Sequence, residues 1–162
     1  MPFGEKPLSL QQINDKLIRK DMLKHRLTLH NDIEEIPLLA EFVDTICEEA
    51  RVDASLAMSL NLAIEEAVTN SMLYAYPEGT GGMVEVDGSS DDSMLTFVIS
   101  DSGIPFDPTR QEKADVTLGV EERPIGGLGI FLVNEIMDEV AYERLSTPEG
   151  GKNVLTLRKH LN

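Results

Sequence analysis

The sequence is poor in the residues that support several common classes of function. Among its 162 residues there is one cysteine and no tryptophan, and 14 basic residues stand against 29 acidic ones, a formal net charge of −15. A single cysteine excludes an internal disulfide and a cysteine-rich zinc site, and it fits a reducing compartment. The negative charge argues against nucleic acid as a partner, because an acidic surface repels a phosphate backbone.

Long apolar runs are also missing. No stretch is long enough to cross a bilayer, and residues 1–7 lack the basic start and apolar block of a signal peptide. We therefore expect a cytoplasmic protein with no membrane attachment. The length suits one domain, and 41% hydrophobic residues are enough for its core. We expect residues 1–21 to be an N-terminal extension of unknown role and residues 22–162 to be the domain.

Hydrophobic periodicity predicts an α+β fold. Strands are expected over residues 22–30, 83–87, 94–100, 140–145 and 153–158, the second as an outer strand and the third as a central one. Helices are expected over 9–20, 33–50, 54–75 and 128–138, with Ser9 or Asn14, Asp32 and Asp53 as candidate N-caps. Residues 104–125 are expected to form a mobile loop. Together these elements predict a two-layer α/β sandwich, a mixed sheet covered by about three helices.

The helix predicted over 54–75 carries a carboxylate and an amide on its apolar side. On a helical wheel, the apolar arc consists of Leu56, Leu60, Ala63, Ile64, Ala67 and Val68, extended by Leu62 and Leu73. Glu66 and Asn70 lie inside this arc, whereas Asn61 and Glu65 face water. A partly desolvated glutamate suits general-base work, and an asparagine oxygen suits Mg²⁺. The same pair could instead cap or bridge neighbouring backbone, and the wheel does not separate the two.

Two further stretches have the form of ligand sites. Asp101 ends the predicted central strand, where it can accept a hydrogen bond from an exocyclic amine such as that of adenine, and Gly103 lets backbone approach a flat ring. Alternatively, this Asp-Ser-Gly is an ordinary turn. Gly126, Gly127 and Gly129 run directly into a helix, whose free N–H groups suit a phosphate, unless the glycines only allow tight packing. No Gly-Lys-Ser/Thr follows, which excludes a Walker A loop.

The order of the three stretches resembles the GHKL (Bergerat-fold) ATPase superfamily, and within it the anti-sigma-factor serine/threonine kinases. The resemblance rests on EEAVTNS at 65–71, DSGIPFDP at 101–108, GGLGIFLV at 126–133 and NVLTL at 153–157. It covers about residues 22–160. It implies an α/β sandwich that binds ATP or ADP between the helices and a loop that closes as a lid.

The resemblance also implies roles for residues at the base and metal end of the site. Glu66 matches the base that takes the proton from the attacking hydroxyl, and Asn70 matches the Mg²⁺ ligand. Asp101 matches the carboxylate that reads adenine N6, and Gly103 matches the glycine beside the base. Phe106 is assigned to the same nucleotide site.

At the phosphate end, the resemblance implies a loop and helix start under the phosphates. The matching residues are Gly126, Gly127, Leu128 and Gly129. Arg123 is the candidate lid cation near the phosphates, with Arg110 and Lys113 as alternatives. The glycine box begins with Ile125 rather than with a further glycine, which departs from the Gly-x-Gly-Leu-Gly of many relatives.

The function implied is transfer of the γ-phosphoryl group of Mg·ATP to a serine or threonine of an anti-anti-sigma (STAS-type) partner. Binding of a sigma-like factor and a homodimer formed through the outer strand or first helix are implied as well. Two alternatives use the same pocket: a non-catalytic module in which nucleotide orders a partner-binding surface, and an ATP hydrolase without a protein acceptor. The sequence does not separate these three.

Overall fold

The computed structural model describes residues 7, 9–12, 24–78, 80–110 and 127–161, with the backbone alone for residues 127–129. The strands within this part are β1 (Lys24–His30), β2 (Met83–Ser90), β3 (Met94–Asp101), β4 (Glu139–Leu145) and β5 (Lys152–His160). The α-helices are α1 (Ile36–Glu49), α2 (Ala54–Asn70) and α3 (Gly127–Ile136). Short 3₁₀ turns span Ile33–Glu35 and Pro108–Arg110, and a π-helical turn at Ser71–Ala75 continues α2.

The five strands form one sheet in the order β1-β2-β3-β5-β4, and every neighbouring pair is antiparallel. The prediction of a mixed sheet is therefore wrong. Its physical reason lies in the connection from β1 to β2, because the pair α1 and α2 returns the chain to the end of the sheet where β1 finished. His30 accordingly pairs with Met83 in the register. The prediction that β3 is central and that β4 and β5 form a closing hairpin is confirmed.

The prediction that strand β2 lies at the outside of the sheet is also wrong. It pairs with β1 on one side and β3 on the other. Its alternation of apolar and acidic residues reflects the two faces of the sheet rather than an edge. Val84 and Val86 are buried under the helices, while Asp87 on the opposite face accepts a hydrogen bond from Nε of Arg26 at 2.6 Å.

The core lies between the helices and one face of the sheet, with α2 packed between α1 and α3. Most of the predicted apolar arc of α2 is buried, but Leu62 and Leu73 are 42% and 46% exposed. The packed arc is thus narrower than the apolar arc, and Leu73 lies in the π-helical turn, where the wheel no longer applies. Asn61 does not simply face water, since its Nδ2 donates to Oδ1 of Asp44 on α1 at 2.8 Å.

The helix starts follow the predicted caps. Oδ1 of Asp53 accepts from the Leu56 N–H at 2.8 Å at the start of α2, and Asp32 accepts from the Glu34 N–H before α1. Residues 10–12 are helical, and Ser9 caps them. Asn14 and the rest of that predicted helix lie outside the described residues. None of the described helices is both long enough and apolar enough to cross a bilayer.

The cap of α2 gives a test of the fold, because α2 carries the candidate site residues. We expect Asp53→Ala to lower the free energy of unfolding by about 1 kcal/mol, since the N–H group of Leu56 loses its acceptor. Asp53→Asn keeps an acceptor oxygen and should change stability by much less. Urea denaturation of both variants measures the difference, and equal losses would contradict a capping role for the side chain.

Candidate functional site

The central strand β3 ends in a buried carboxylate. Asp101 is its last residue, and the register pairs it with Val84 of β2 and Asn153 of β5. Only 6% of Asp101 is exposed. A carboxylate in this position needs hydrogen-bond donors, since a buried charge without partners carries a large desolvation cost.

Three donors from three parts of the chain meet the Asp101 carboxylate. Its Oδ1 accepts from the Gly103 N–H at 2.9 Å and from Nδ2 of Asn153 at 2.8 Å. Its Oδ2 accepts from the hydroxyl of Ser71, the first residue of the π-helical turn. Oδ1 is therefore fully used, while Oδ2 keeps the capacity for one more donor. A ligand that presents an N–H group fits this arrangement.

The turn after Asp101 lies directly on the end of the α2 segment. The Ile104 N–H donates to the Ala75 carbonyl at 2.8 Å, and the Ser102 N–H donates to the Tyr76 hydroxyl at 3.0 Å. A Cβ atom on Gly103 would lie 2.2 Å from the Ala75 carbonyl oxygen. Packing of the turn against the helix end therefore requires glycine here, whatever the pocket binds.

Glu66 and Asn70 lie one turn apart on α2, in the environments that the wheel predicts. Asn70 is 4% exposed, Glu66 is half-buried, and Glu65 beside it is exposed. Within the described part of the chain, neither the Glu66 carboxylate nor the Asn70 amide takes part in a hydrogen bond. No hydrogen bond in the described part of the chain therefore supports the alternative in which Glu66 and Asn70 cap or bridge neighbouring backbone. Both side chains are available to a ligand there.

The chemistry of the pair fits a base beside a metal ligand. Desolvation raises the pKa of the Glu66 carboxyl, and the negative charge of Glu65 raises it further. The Asn70 oxygen is a hard ligand that suits Mg²⁺, an ion that keeps waters and phosphate oxygens as its other ligands. Among the described residues no three acidic, histidine or cysteine side chains converge on a metal.

A small pocket lies between α2, β3 and β5, and its cavity volume is ≈ 20 Å³. Three of the predicted site residues line it, namely Asn70, Asp101 and Phe106, and Ser71, Tyr142 and Asn153 join them. Glu66 and Gly103 do not contribute to this lining. The structure thus brings the Asn70 amide and the Asp101 carboxylate to one cavity, with Glu66 one turn before Asn70 on the helix.

The π-helical turn supplies one wall of the site. The ring of Tyr74 in this turn stacks on Phe106, with centroids 5.1 Å apart and planes at 28°. The Tyr74 hydroxyl is buried without a hydrogen-bond partner in the part of the chain described, and desolvation raises its pKa. π-helical turns insert one residue into a helix and are frequent at functional sites. Here the turn directs Ser71 to Asp101 and Tyr74 to Phe106.

The glycine stretch opens α3. The described part of the helix runs from Gly127 to Ile136 and includes Leu128 and Gly129. Three of the predicted residues lie outside the described part: Lys113, Arg123 and Gly126. Of the candidate lid cations, Arg110 is described, and it is exposed with its Nε 3.4 Å from Oδ2 of Asp107. The phosphate end therefore stays a prediction.

Asn153 has no role in the site predicted from the sequence, yet it is 6% exposed and contacts Asp101. A signal for it was present. Asn153 is in phase with Leu155 and Leu157 along β5, and both leucines are buried. An amide at a buried position of a strand needs hydrogen-bond partners. The alternation of buried and exposed residues along β5 therefore indicates that the Asn153 side chain forms hydrogen bonds in the core.

The chain is similar to proteins of one family. The family model described as a histidine kinase-like ATPase domain matches residues 29–159. The serine-protein kinase RsbW of Listeria monocytogenes serovar 1/2a is 31% identical over 147 residues, which cover 83% of this chain and 90% of that protein. RsbW of a Bacillus cereus strain is 34% identical over 85 residues, 50% of this chain and 52% of that protein. A chain of the SiaB–SiaC complex from Pseudomonas aeruginosa aligns over 96% of this chain and 100% of its own, but a TM-score of 0.48 at 16% identity supports no inference.

The Gly103 contact predicts a sharp difference between two glycines. Gly103→Ala places a methyl group against the Ala75 carbonyl, so the turn must move and the Gly103 N–H must leave Asp101. We expect a loss of about 1–3 kcal/mol in the free energy of unfolding. Gly81→Ala is the matched control, because nothing lies within 4 Å of a Cβ there. Thermal unfolding compares the two, and equal stability of both variants would contradict the contact.

Proposed function

We propose that this chain, which belongs to the histidine kinase-like ATPase domain family and within it to the anti-sigma-factor serine/threonine kinases, binds Mg·ATP and phosphorylates a protein. The acceptor we propose is a serine or threonine of an anti-anti-sigma (STAS-type) partner. The observation that carries the proposal is the pairing of Glu66 and Asn70 on α2, with Asn70 sharing a pocket with Asp101. The cytoplasmic location expected from the sequence stays a prediction.

The base end of the nucleotide is assigned to Asp101. Oδ2 of Asp101 retains an acceptor position toward the pocket, and the exocyclic amine of adenine is a donor. Gly103 allows the backbone after Asp101 to pack closely against Ala75. The Phe106 ring, which stacks on Tyr74, gives an aromatic surface for a planar base.

The metal and phosphate end is assigned to Asn70 and to the start of α3. Asn70 would hold Mg²⁺ through its side-chain oxygen, and bound Mg²⁺ neutralises charge on the phosphates. Gly127, Leu128 and Gly129 lie in the first described turn of α3, and we assign their N–H groups to phosphate oxygens. Gly126 and the lid cation Arg123 complete the proposal, with no described contact of their own.

Glu66 is the group that carries the chemistry in this proposal. Its carboxylate accepts the proton of the acceptor hydroxyl while that oxygen forms a bond to the γ-phosphorus. The bond from the γ-phosphorus to the β,γ-bridging oxygen breaks, and ADP leaves with that electron pair. A pKa raised by desolvation gives Glu66 a greater affinity for the proton than an ordinary surface carboxylate has.

The partners of the proposed kinase come from the family. The similar proteins of Listeria and Bacillus are named serine-protein kinases, and we extend that activity, a sigma-like regulator and a homodimer to this chain. The strand predicted as the outer one, and hence for dimerisation, was β2, which is paired on both sides. The edges of the described sheet are β1 and β4, and the predicted first helix, over residues 9–20, is described only at residues 9–12. Sedimentation of a monomer at working concentration would remove the dimer.

The transfer step is tested with labelled ATP and a STAS-type protein encoded next to this chain. We expect Glu66→Gln to bind Mg·ATP but to transfer about 10²–10⁴-fold more slowly, because the general base is lost. Glu65→Gln is the matched control, since a change at this exposed neighbour should keep most of the transfer rate at neutral pH.

Each other outcome separates the alternatives. Transfer that survives in Glu66→Gln would contradict the role of the base. Nucleotide binding without transfer to any such acceptor would favour the nucleotide-ordered binding module, and phosphate release without labelled acceptor would favour the hydrolase.

The pH dependence of transfer follows from the same carboxylate. Glu66 must be deprotonated to act, and its pKa is raised, so the rate should fall as the pH drops through a value above the ordinary glutamate pKa of about 4.3. Glu65→Gln removes the second cause of the shift and should move this acidic limb to lower pH. Glu149→Gln, in the exposed turn between β4 and β5, is the control that should leave it in place. If the acidic limb of the pH–rate profile does not move in Glu65→Gln, the result would argue against Glu66 as the titrating group.

A further inference from the structure

A row of polar side chains crosses three neighbouring strands at the edge of the candidate site. In the register, Asp101 of β3 pairs with Asn153 of β5, and Asn153 pairs with Arg144 of β4. Side chains in such a row lie on the same face of the sheet, and on the other side of Asp101 the row continues with the buried residues Val84 and Leu29. The apolar row under the helices thus ends in a carboxylate, an amide and a guanidinium.

Asn153 uses both ends of its amide inside this row. Its Nδ2 donates to Oδ1 of Asp101 and to the carbonyl of Ile104, both at 2.8 Å. Its Oδ1 accepts from three donors, which are the Tyr142 hydroxyl at 2.5 Å, Nη1 of Arg144 at 3.1 Å and the Phe106 N–H at 3.2 Å. The donors fix which end of the amide faces Asp101, and they leave Asn153 no free group for a ligand.

The hydrogen-bond partners of Arg144 are uncharged, although the protein has a net charge of −15. It is half-buried, and within the described part of the chain it forms no ion pair. Its Nη1 donates instead to the Gly103 carbonyl at 2.9 Å and to Oδ1 of Asn153. No other described backbone donor binds the Gly103 carbonyl. One guanidinium therefore holds both the turn beside the base-reading carboxylate and the amide that orients that carboxylate.

We infer that Arg144 is a positioning residue that sets the preference of this site for adenine over guanine; the inference rests on the proposed nucleotide site. Asp101 can accept from the N6 amine of adenine, whereas guanine carries the O6 acceptor at the same position and gains no hydrogen bond from a carboxylate oxygen placed to face N6. Correct placement of Asp101 relative to the Gly103 turn thus favours adenine alone. Loss of the Arg144 side chain makes the position of Asp101 less well defined. It therefore weakens the hydrogen bond from the adenine N6 amine, which guanine lacks.

The test is calorimetric titration of the full chain with Mg·ATP and with Mg·GTP. Arg144→Met keeps much of the apolar stem and removes every donor. We expect it to weaken ATP binding by roughly tenfold and GTP binding by less than about twofold, so that the ATP-to-GTP affinity ratio falls. Arg144→Lys, which restores a cationic donor, should recover part of that ratio. Arg158→Met is the matched control, since this exposed arginine on the adjacent strand β5 pairs with Glu139 at 3.4 Å and should leave both affinities unchanged.

The ATP-to-GTP affinity ratio distinguishes a loss of selectivity from a general loss of nucleotide binding. An unchanged ratio in Arg144→Met overturns the inference, and so does an equal loss for both nucleotides, which a purely structural role would give. If Arg144→Met does not fold, the ratio of Arg144→Lys decides: it should lie below the wild-type ratio, and a wild-type ratio there overturns the inference. Wild-type protein that binds no Mg·ATP would overturn the proposed function itself, whereas wild-type binding with an unmoved ratio removes only the role of Arg144.

Discussion

The hydrogen bonds to the Asp101 carboxylate tie together segments that are far apart in the chain. They join the end of the central strand to the π-helical turn through Ser71, to β5 through Asn153 and to the following turn through Gly103. Burial of this carboxylate requires all of these donors to be in place. The site is therefore formed by the same bonds that close the polar end of the core, and its geometry cannot vary without loss of those bonds.

Helix α2 combines two roles along its length. Its apolar side chains are buried against the sheet and between α1 and α3 along its whole length. Its last turns add Glu66, Asn70 and the π-helical turn beside this packing. A buried polar group without a partner lowers stability, and in the described part of the chain the Tyr74 hydroxyl is such a group. Asn70 and the Glu66 carboxylate, whose pKa is raised, lie close by without a described hydrogen bond. Their concentration at one end of one helix is typical of a site that a ligand completes.

Sequence patterns predicted those features that depend on local physics. The caps at Asp53 and Asp32, the central strand β3 and the burial of Glu66 and Asn70 follow from spacing along one element. The predictions that went wrong depend on how elements combine: the direction and order of strands, and the exposure of Leu62 at the margin of the packed arc. The contacts of Asn153 and Arg144 were missed for the same reason, because only the register of β3, β5 and β4 places Asn153 beside Asp101 and Arg144 beside Asn153.

The π-helical turn at Ser71–Ala75 has a consequence for how this chain can be aligned and redesigned. It is the last turn of the helix, since Tyr76 after it is extended, and its wider winding gives Tyr74 a direction that α-helical spacing from Asn70 does not predict. Deleting one residue here would change the direction of Tyr74 relative to Asn70. If an alignment places a one-residue gap in this stretch, the two proteins differ in the geometry of the helix end rather than in the length of a loop.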